Sequence, residues 1–294
     1  MATSLQRPKK ILTLSFGVTA VVAVVEVAGG ILSNSISLLS DAVHVFTDVM
    51  AIGLSLFAIA MAARSHSGTL TFGYHRAEVM AALANGIALA LISVWVLYEA
   101  FLRVASPRMI DAPLMLLTAA IGLAGNLVVM FLLRRETGKS INIQSAFVHV
   151  VYDTLSSVAV IITGFIALET GITIVDPLVA FLIAGFVARS AYVIVRRSTH
   201  ILLEGAPSEL NIREITDSLK QLESVVDVHD LHVWTISTGM DALSGHVVVR
   251  DQMLSQSSKL LTEINKILAE RYNITHTTIQ LEHESEISFR RMIK

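Results

Sequence analysis

Two histidine–aspartate pairs with the same spacing interrupt two apolar stretches of the chain. The first pair is His44 and Asp48, and the second is His149 and Asp153. On a helix, residues four apart lie one above the other on the same face. A charged carboxylate at membrane depth costs about 3 kcal/mol on insertion scales, so its repeated placement beside a histidine indicates one shared site. Two imidazoles and two carboxylates are the ligand types, and the number, that a tetrahedral zinc ion takes.

Two interpretations of these four residues are open. In one, they are buried polar side chains that join helices by hydrogen bonds. In the other, they form one metal site, which the recurrence of the spacing in a second helix favours. Imidazole must lose its proton to bind a metal, so metal ions and protons would compete near neutral pH. We hypothesise that the site loads zinc when it faces inward, and that protonation releases the ion when it faces outward.

The composition indicates a membrane protein that spans the bilayer several times. Of 294 residues, 53% are hydrophobic and only 16% are charged, whereas soluble domains carry about 25% charged residues. The net charge of -2 argues against a general affinity for nucleic acid. The chain has no cysteine, so any metal must be held by nitrogen and oxygen ligands, which suit zinc and similar divalent ions.

Six apolar segments reach the length of about 20 residues that a membrane-spanning helix needs. Lys and Arg residues cluster before the first segment and after the second, fourth and sixth, which predicts that both termini are cytoplasmic. Arg103 and Arg108 in the third loop weaken this bias without reversing it. The N-terminal stretch has no small-residue cleavage site after a short apolar core, so we expect an uncleaved first helix. The segments are 11–33, 38–62, 77–104, 112–134, 144–168 and 176–197.

After about Pro207 the pattern changes to that of a small soluble domain. We therefore predict a transmembrane transport domain at 1–207 and a cytoplasmic metal-binding and dimerisation domain at 208–294. Amphipathic helices alternate there with runs rich in β-branched residues. This predicts an α-β-β-α-β order and a three-stranded sheet with both helices on one face. The predicted elements are helix 209–222, strands 225–236 and 242–249, helix 255–272 and strand 274–281.

Several motifs together resemble the cation diffusion facilitators, and among these the bacterial zinc exporters are the most similar. The first motif, Ser-Ile-Ser-Leu-Leu-Ser-Asp-Ala-Val-His, runs from Ser35 to His44, and Asp48 follows it by four residues. Phe-Gly-Tyr-His-Arg-Ala-Glu follows at 72–78, and the second histidine–aspartate pair at 149–153. Leu-Glu-Gly-Ala-Pro at 203–207 and Asp-Leu-His-Val-Trp at 230–234 belong to the same resemblance, which covers nearly the whole chain.

The resemblance implies a homodimer with six helices per protomer and a metallochaperone-like cytoplasmic domain. It also implies export of a divalent cation in exchange for protons across a membrane, which we expect to be the bacterial cytoplasmic membrane. The exported ion would be Zn²⁺, with cadmium or cobalt as related substrates. A second Zn²⁺ in the cytoplasmic domain would have a structural or regulatory role. The resemblance assigns that second ion to His229, His246 and Glu282, with His276 as a further candidate.

The cytoplasmic histidines have a simpler interpretation as surface residues of a strand-rich domain. His232 is three residues from His229, and on a regular strand this offset places them on opposite faces. The chain also departs from relatives that hold two ions in this domain. No histidine occurs in 256–259 of the second helix, and Gln280 stands near the end of the last strand.

Other polar residues near the membrane permit more than one role. Asp41 could orient an imidazole or could lie at the outer end of its helix. Glu26 and Glu99 could carry protons or ions, although contacts between helices are the more common role. The resemblance allows a further metal ion at His66 and His75 in the second loop, although a structural contact is the better expectation for His75.

Two other functional classes fit the sequence less well. An intramembrane metalloenzyme would need an open coordination position and a base, but four protein ligands fill a tetrahedron. No nucleophile elbow, phosphate-binding glycine loop or His-Glu-x-x-His helix is present. A metal sensor would need an output module, and no basic recognition helix occurs. We therefore expect a transporter and not an enzyme.

Overall fold

The computed structural model describes residues 2–62, 72–134, 141–237 and 239–284, and for some helical residues it describes the backbone alone. Within these ranges, six long helices precede a smaller α/β portion. The long helices are α1 Ala2–Ser33, α2 Ile36–Ala62, α3 Ala77–Ala105, α4 Ala112–Arg134, α5 Ile141–Thr170 and α6 Val175–Leu202. The remaining elements are α7 Ile212–Lys220, β1 Val225–Ser237, β2 Met240–Val249, α8 Leu254–Tyr272 and β3 His276–His283.

The long helices have the length and composition of membrane spans. Five of them are apolar over at least 21 residues, and the apolar described part of α2 is Ile36–Thr47. Many of their large apolar side chains are exposed, among them Phe101, Phe131, Phe165 and Phe186. Such a surface would be unfavourable in water but fits contact with lipid. The predicted helical membrane architecture is confirmed.

The chain divides into two compact units. One consists of Met1–Phe57 and Ala81–Val195, and the other of Ala58–Met80 and Arg196–Lys294. The second unit therefore includes the end of α2, the start of α3 and the end of α6. The predicted domain boundary after residue 207 lies within this second unit and stays a prediction.

Glycines allow α1 and α4 to pack closely at three successive turns. At each of these positions a β-carbon would collide with a side chain of the opposite helix. Small residues at such positions are typical of helix contacts in membranes. The facing residues are Val22 and Gly125, Glu26 and Gly122, and Gly29 and Thr118.

The first turn of α2 is capped by a carboxylate from α6. Asp176 is fully buried, and its Oδ2 accepts a hydrogen bond from the backbone N–H of Ile36 at 2.9 Å. Its Oδ1 accepts from the Ser37 N–H at 3.1 Å and from the Ser35 and Ser37 hydroxyls at 2.6 Å each. The first N–H groups of a helix have no partner within it. Ser35 Oγ caps the Leu38 N–H locally at 3.1 Å, and Asp176 satisfies the N–H groups of Ile36 and Ser37 from another helix.

An ion-pair network holds the turn between α1 and α2. Asn34 adopts the left-handed conformation there, with φ of 56°. Arg103 of α3 donates to the Asn34 carbonyl and, at 3.0 Å, to its Oδ1. Glu99 pairs with Arg103 at 3.1 Å and with Arg108 at 2.8 Å. Glu99 thus has the structural role that was one of its two expected roles.

The α/β portion has the predicted α-β-β-α-β order. Its three strands lie in the order β1-β2-β3, with β1 and β2 antiparallel and β2 and β3 parallel. Both helices pack on the same core, where Ile215 and Leu219 of α7 meet Ile264 and Leu268 of α8. The last strand begins and ends two residues later than predicted, at His276–His283.

Candidate metal centre

Helices α2 and α5 bring three of the four predicted membrane ligands together. One ligand atom each from His44, His149 and Asp153 lies within 4.8 Å of the others. His44 Nε2 is 3.5 Å from Asp153 Oδ1, and His149 Nε2 is 3.9 Å from Asp153 Oδ2. The two imidazole rings have centroids 5.6 Å apart. Asp153 is buried, whereas both histidines are partly exposed.

The fourth predicted ligand, Asp48, lies in α2 one turn after His44. Its side chain is outside the part of the chain that the structure describes. The helical spacing of four residues places its β-carbon on the same face as that of His44. Its participation in the site stays a prediction.

The three described side chains fit a divalent transition-metal ion. Neighbouring ligand atoms in a tetrahedral zinc site are about 3.3 Å apart, so the atoms of this cluster would need only a small inward movement. Oδ1 of Asp153 is buried and has no hydrogen-bond partner among the described residues. A buried carboxyl oxygen that makes no hydrogen bond is costly, and a cation bound between this oxygen and His44 Nε2, 3.5 Å away, would remove that cost. The partial exposure of both histidines leaves the cluster accessible to an entering ion.

Behind the cluster, Asp41 of α2 is hydrogen-bonded to α5. Asp41 is 1% exposed, and its Oδ1 accepts from the Ser156 hydroxyl at 2.5 Å. Ser157 Oγ lies 3.4 Å from Asp41 Oδ2 and 3.0 Å from the carbonyl of Asp153, and its single proton can serve one of them at a time. Asn126 of α4 donates to Ser157 Oγ at 3.2 Å. Asp41 therefore joins the two ligand-bearing helices and does not lie exposed at a helix end.

Sequence reasoning missed the two serines of this network. Ser156 and Ser157 follow Asp153 by three and four residues, so they continue its helical face. A pair of serines within an apolar helix was the available signal, because a hydroxyl in hydrocarbon needs a partner. The partner itself, Asp41, lies 115 residues away and could not be identified from spacing.

Of the two histidines of the second loop, the structure describes His75, which is not part of the membrane cluster. His75 lies in the turn before α3, outside both groups of potential metal ligands among the described residues. His66 lies outside the described residues. Next to His75, Arg76 forms an ion pair with Glu204 at 3.1 Å.

The second group of potential ligands lies in the sheet and consists of His229, His246 and Glu282. His229 and His246 are directly opposite each other on β1 and β2, and their rings stack with centroids 5.2 Å apart. The carboxylate of Glu282, on β3, lies 3.1 Å from His229 Nε2 and 2.5 Å from His246 Nδ1. Glu282 is 2% exposed. Three strands therefore bring together three of the four predicted cytoplasmic ligands.

The fourth, His276, is not part of this group. It stands at the start of β3, six residues before Glu282 and opposite Ala242 of β2. Six residues of strand span about 20 Å, so His276 and Glu282 are at opposite ends of β3. The structure does not bring His276 to the site.

A bulge changes the expected alternation between His229 and His232. The register of β1 and β2 shifts between these residues, and Asp230 has φ of 52°. His232 is nevertheless exposed, and its Nε2 lies 3.1 Å from Asp230 Oδ1. This hydrogen bond is the main reason that the pKa of the Asp230 carboxyl is lowered from its usual value. His232 therefore contacts Asp230, whose other carboxylate oxygen lies 3.8 Å from His246 Nε2, and is not itself part of the group around Glu282.

Comparisons with known proteins identify the family. Residues 12–203 match the cation efflux transmembrane domain, and residues 207–284 match the cytoplasmic domain of cation efflux proteins. The chain is 38% identical over 280 residues to the "Cadmium, cobalt and zinc/H(+)-K(+) antiporter" of Bacillus subtilis, which covers 94% of this chain and 90% of that one. It is 36% identical over 275 residues to the "Zinc transporter ZitB" of Escherichia coli, with 93% of this chain and 87% of the relative covered.

Among solved structures, the metal-bound C-terminal domain of the CzcD transporter is 33% identical. The comparison covers 25% of this chain and 99% of that domain, with a TM-score of 0.23. The two family domains together account for nearly the whole chain, and the family consists of transporters, which sets the enzyme interpretation aside. The resemblance seen in the motifs is thereby confirmed, and the chain belongs to the cation efflux family of integral membrane transporters.

Proposed function

We propose that this protein exports zinc from the cytoplasm in exchange for protons. The observation that carries the proposal is the group of His44, His149 and Asp153, whose ligand atoms lie within 4.8 Å of one another on two membrane helices. Asp48 would complete a site of two histidines and two aspartates, the donor set that zinc takes in tetrahedral coordination. The names of the two relatives, a zinc transporter and an antiporter of cadmium, cobalt and zinc, support the same substrate class.

The donor set also supports exchange with protons. A transport site must bind its ion strongly enough to load and weakly enough to release, and imidazoles lose the metal when they are protonated. In the proposed cycle, the inward-facing site loads zinc, and protonation from the outer side releases it. Return of the protonated site to the inner side then resets the transporter. Both termini would be cytoplasmic, as the distribution of Lys and Arg predicts.

Zinc uptake into inside-out membrane vesicles tests the transport mechanism. Vesicles that hold the full-length protein should accumulate zinc when their interior is acidic, and a protonophore should abolish the accumulation. Because the Bacillus relative is named for both protons and potassium, parallel assays with and without potassium separate the two driving ions. Uptake that continues unchanged after collapse of the pH gradient would contradict the proposed exchange.

Competition among metal ions tests the substrate. Cobalt(II) and cadmium(II) accept ligands similar to those of zinc, and affinity order alone does not select between them. We expect unlabelled zinc to compete with labelled zinc most effectively, with cadmium and cobalt weaker. Competition by magnesium at equal concentration would contradict a site built on imidazoles, because magnesium prefers oxygen ligands and water.

The group of His229, His246 and Glu282 is proposed as a second, regulatory zinc site. Glu282 is buried, and its carboxylate contacts both imidazoles. An ion held by these three side chains would link β1, β2 and β3. The matched cytoplasmic domain is characteristic of a dimeric family, and we propose a homodimer. Such an ion can bias transport only if it binds two conformations with different affinity. Zinc binding and transport by full-length protein with an intact and an altered group test this role.

A further inference from the structure

A carboxyl group in α1 is buried and has no hydrogen-bond partner among the described residues. Glu26 is 0% exposed, and both of its carboxyl oxygens are buried without a hydrogen-bond partner among the described residues. Its Oε1 lies against the backbone of Gly122 in α4, where a β-carbon would collide with it. The α1–α4 contact therefore leaves a space that the Glu26 carboxyl fills. Neither the metal cluster nor the hydrogen bonds around Asp41 use this group.

The charged groups that act on Glu26 are also acidic. On α4, Asn126 follows Gly122 by one turn and reaches Ser157, which lies beside the buried acids Asp41 and Asp153. From α4, Glu26 meets Gly122, which carries no charge. Burial and nearby like charges both disfavour the ionised form of a carboxyl group. A buried carboxyl group without a hydrogen bond is better accommodated in its neutral form.

A metal ion in the transport site would reverse this balance. One of the two acids that act on Glu26 is Asp153, which is also a proposed metal ligand. A divalent cation at Asp153 offsets the repulsion by its carboxylate and attracts negative charge in the surrounding low-dielectric region. Metal binding then favours loss of the Glu26 proton. By linkage, protonation of Glu26 weakens metal binding by the same factor.

We propose that Glu26 carries one of the protons exchanged for the metal ion, at a position that is not a metal ligand. The inference depends on the proton-coupled function proposed above. When the ion binds, the O–H bond of the Glu26 carboxyl breaks, the proton passes to water on the side to which the site is open, and a carboxylate remains. When the ion leaves, the carboxylate takes up a proton from water. No other bond changes.

Proton release by the purified, full-length protein in lipid nanodiscs tests the inference. Zinc is added in weak buffer with a pH indicator, and zinc affinity is measured at several pH values. The Glu26→Gln variant keeps the size of the side chain but cannot exchange a proton. Glu169→Gln is the matched control, because Glu169 is an exposed acid at the end of α5.

We expect Glu26→Gln to release up to one proton fewer per zinc ion than the wild type and the control. The slope of log affinity against pH should fall by the same amount, since proton release and this slope are linked. Equal proton release and equal slopes in all three proteins would overturn the role of Glu26 alone. If the wild type itself releases no protons, the proposed exchange fails, and the role of Glu26 fails with it.

Infrared difference spectra keep the inference testable if Glu26→Gln does not fold. The wild type should lose the carbonyl band of a neutral carboxylic acid when zinc is added. Gly122→Ala introduces a β-carbon at the site of the carboxyl, so it should shift that band, whereas Gly53→Ala on α2 should not, because a β-carbon there meets no neighbour. A wild-type spectrum without a zinc-dependent neutral-acid band, or a band unmoved in Gly122→Ala, would overturn the inference.

Discussion

His44 Nε2 lies closer to Asp153 than His149 does, at 3.5 Å against 3.9 Å, although His149 and Asp153 share a helix. The candidate metal site is therefore built across α2 and α5 and not within each repeated pair. A relative movement of the two helices would change the spacing of the ligands directly. This gives a physical basis for coupling the conformation of the transporter to its affinity for the ion.

Loss of one membrane ligand should abolish transport. Even residues that only orient metal ligands commonly change affinity 10- to 100-fold, so we expect His44→Ala and Asp153→Asn to lower zinc affinity by more than about 100-fold. Zinc uptake into vesicles and zinc tolerance of expressing cells measure the effect. The exposed Glu169→Gln variant should transport normally. Substantial transport by His44→Ala would exclude this cluster as the transport site.

Asp48→Asn tests the ligand that sequence spacing alone supports. If Asp48 completes the site, this variant should lose affinity to the same extent as Asp153→Asn, because each removes one charged oxygen donor. Direct zinc titration of both full-length variants at one pH makes the comparison. Wild-type affinity in Asp48→Asn would show that the fourth ligand is a different group or water.

Asp176→Asn should destabilise the protein through the start of α2. An amide nitrogen cannot accept a hydrogen bond, so one buried donor, such as the N–H of Ile36, would lose its partner. A buried group without a partner costs about 1–3 kcal/mol. Asp111 is a matched control, because it accepts from the Leu114 N–H in an exposed position, and Asn caps helices as well as Asp.

Thermal unfolding of both aspartate variants in detergent measures this difference. We expect a lower melting temperature than that of the wild type for Asp176→Asn, and a nearly unchanged melting temperature for Asp111→Asn. Equal melting temperatures would mean that the cap from α6 contributes little to the position of α2.

The cytoplasmic group should bind an ion independently of the membrane site. Glu282→Gln removes the carboxylate that contacts both imidazoles, so the full-length protein should bind one zinc ion fewer per protomer. His276→Ala should leave the number unchanged, because His276 lies at the other end of β3. Equal zinc content in the wild type and Glu282→Gln would exclude this group as a metal site.

The sequence by itself determined the membrane class, the helices that carry the ligands, and the two histidine–aspartate pairs. It could do so because bilayer thickness sets the length of apolar segments, and because helical periodicity fixes which residues share a face. The α-β-β-α-β order was equally local, since it follows from hydrophobic periodicity and β-branched residues.

Only the tertiary structure decided which residues meet across elements. Asp176 caps a helix 140 residues earlier in the chain, and Asp41 is joined to the serines of α5. Glu282 was a predicted ligand and His276 a further candidate, and the parallel pairing of β2 with β3 sets His246 near Glu282 and leaves His276 beside Ala242. Glu26 stood out as an isolated acid, but its burial against Gly122, without a hydrogen bond to any described residue, depends on how α1 packs against α4. Such contacts depend on packing between distant segments, which local periodicity does not encode.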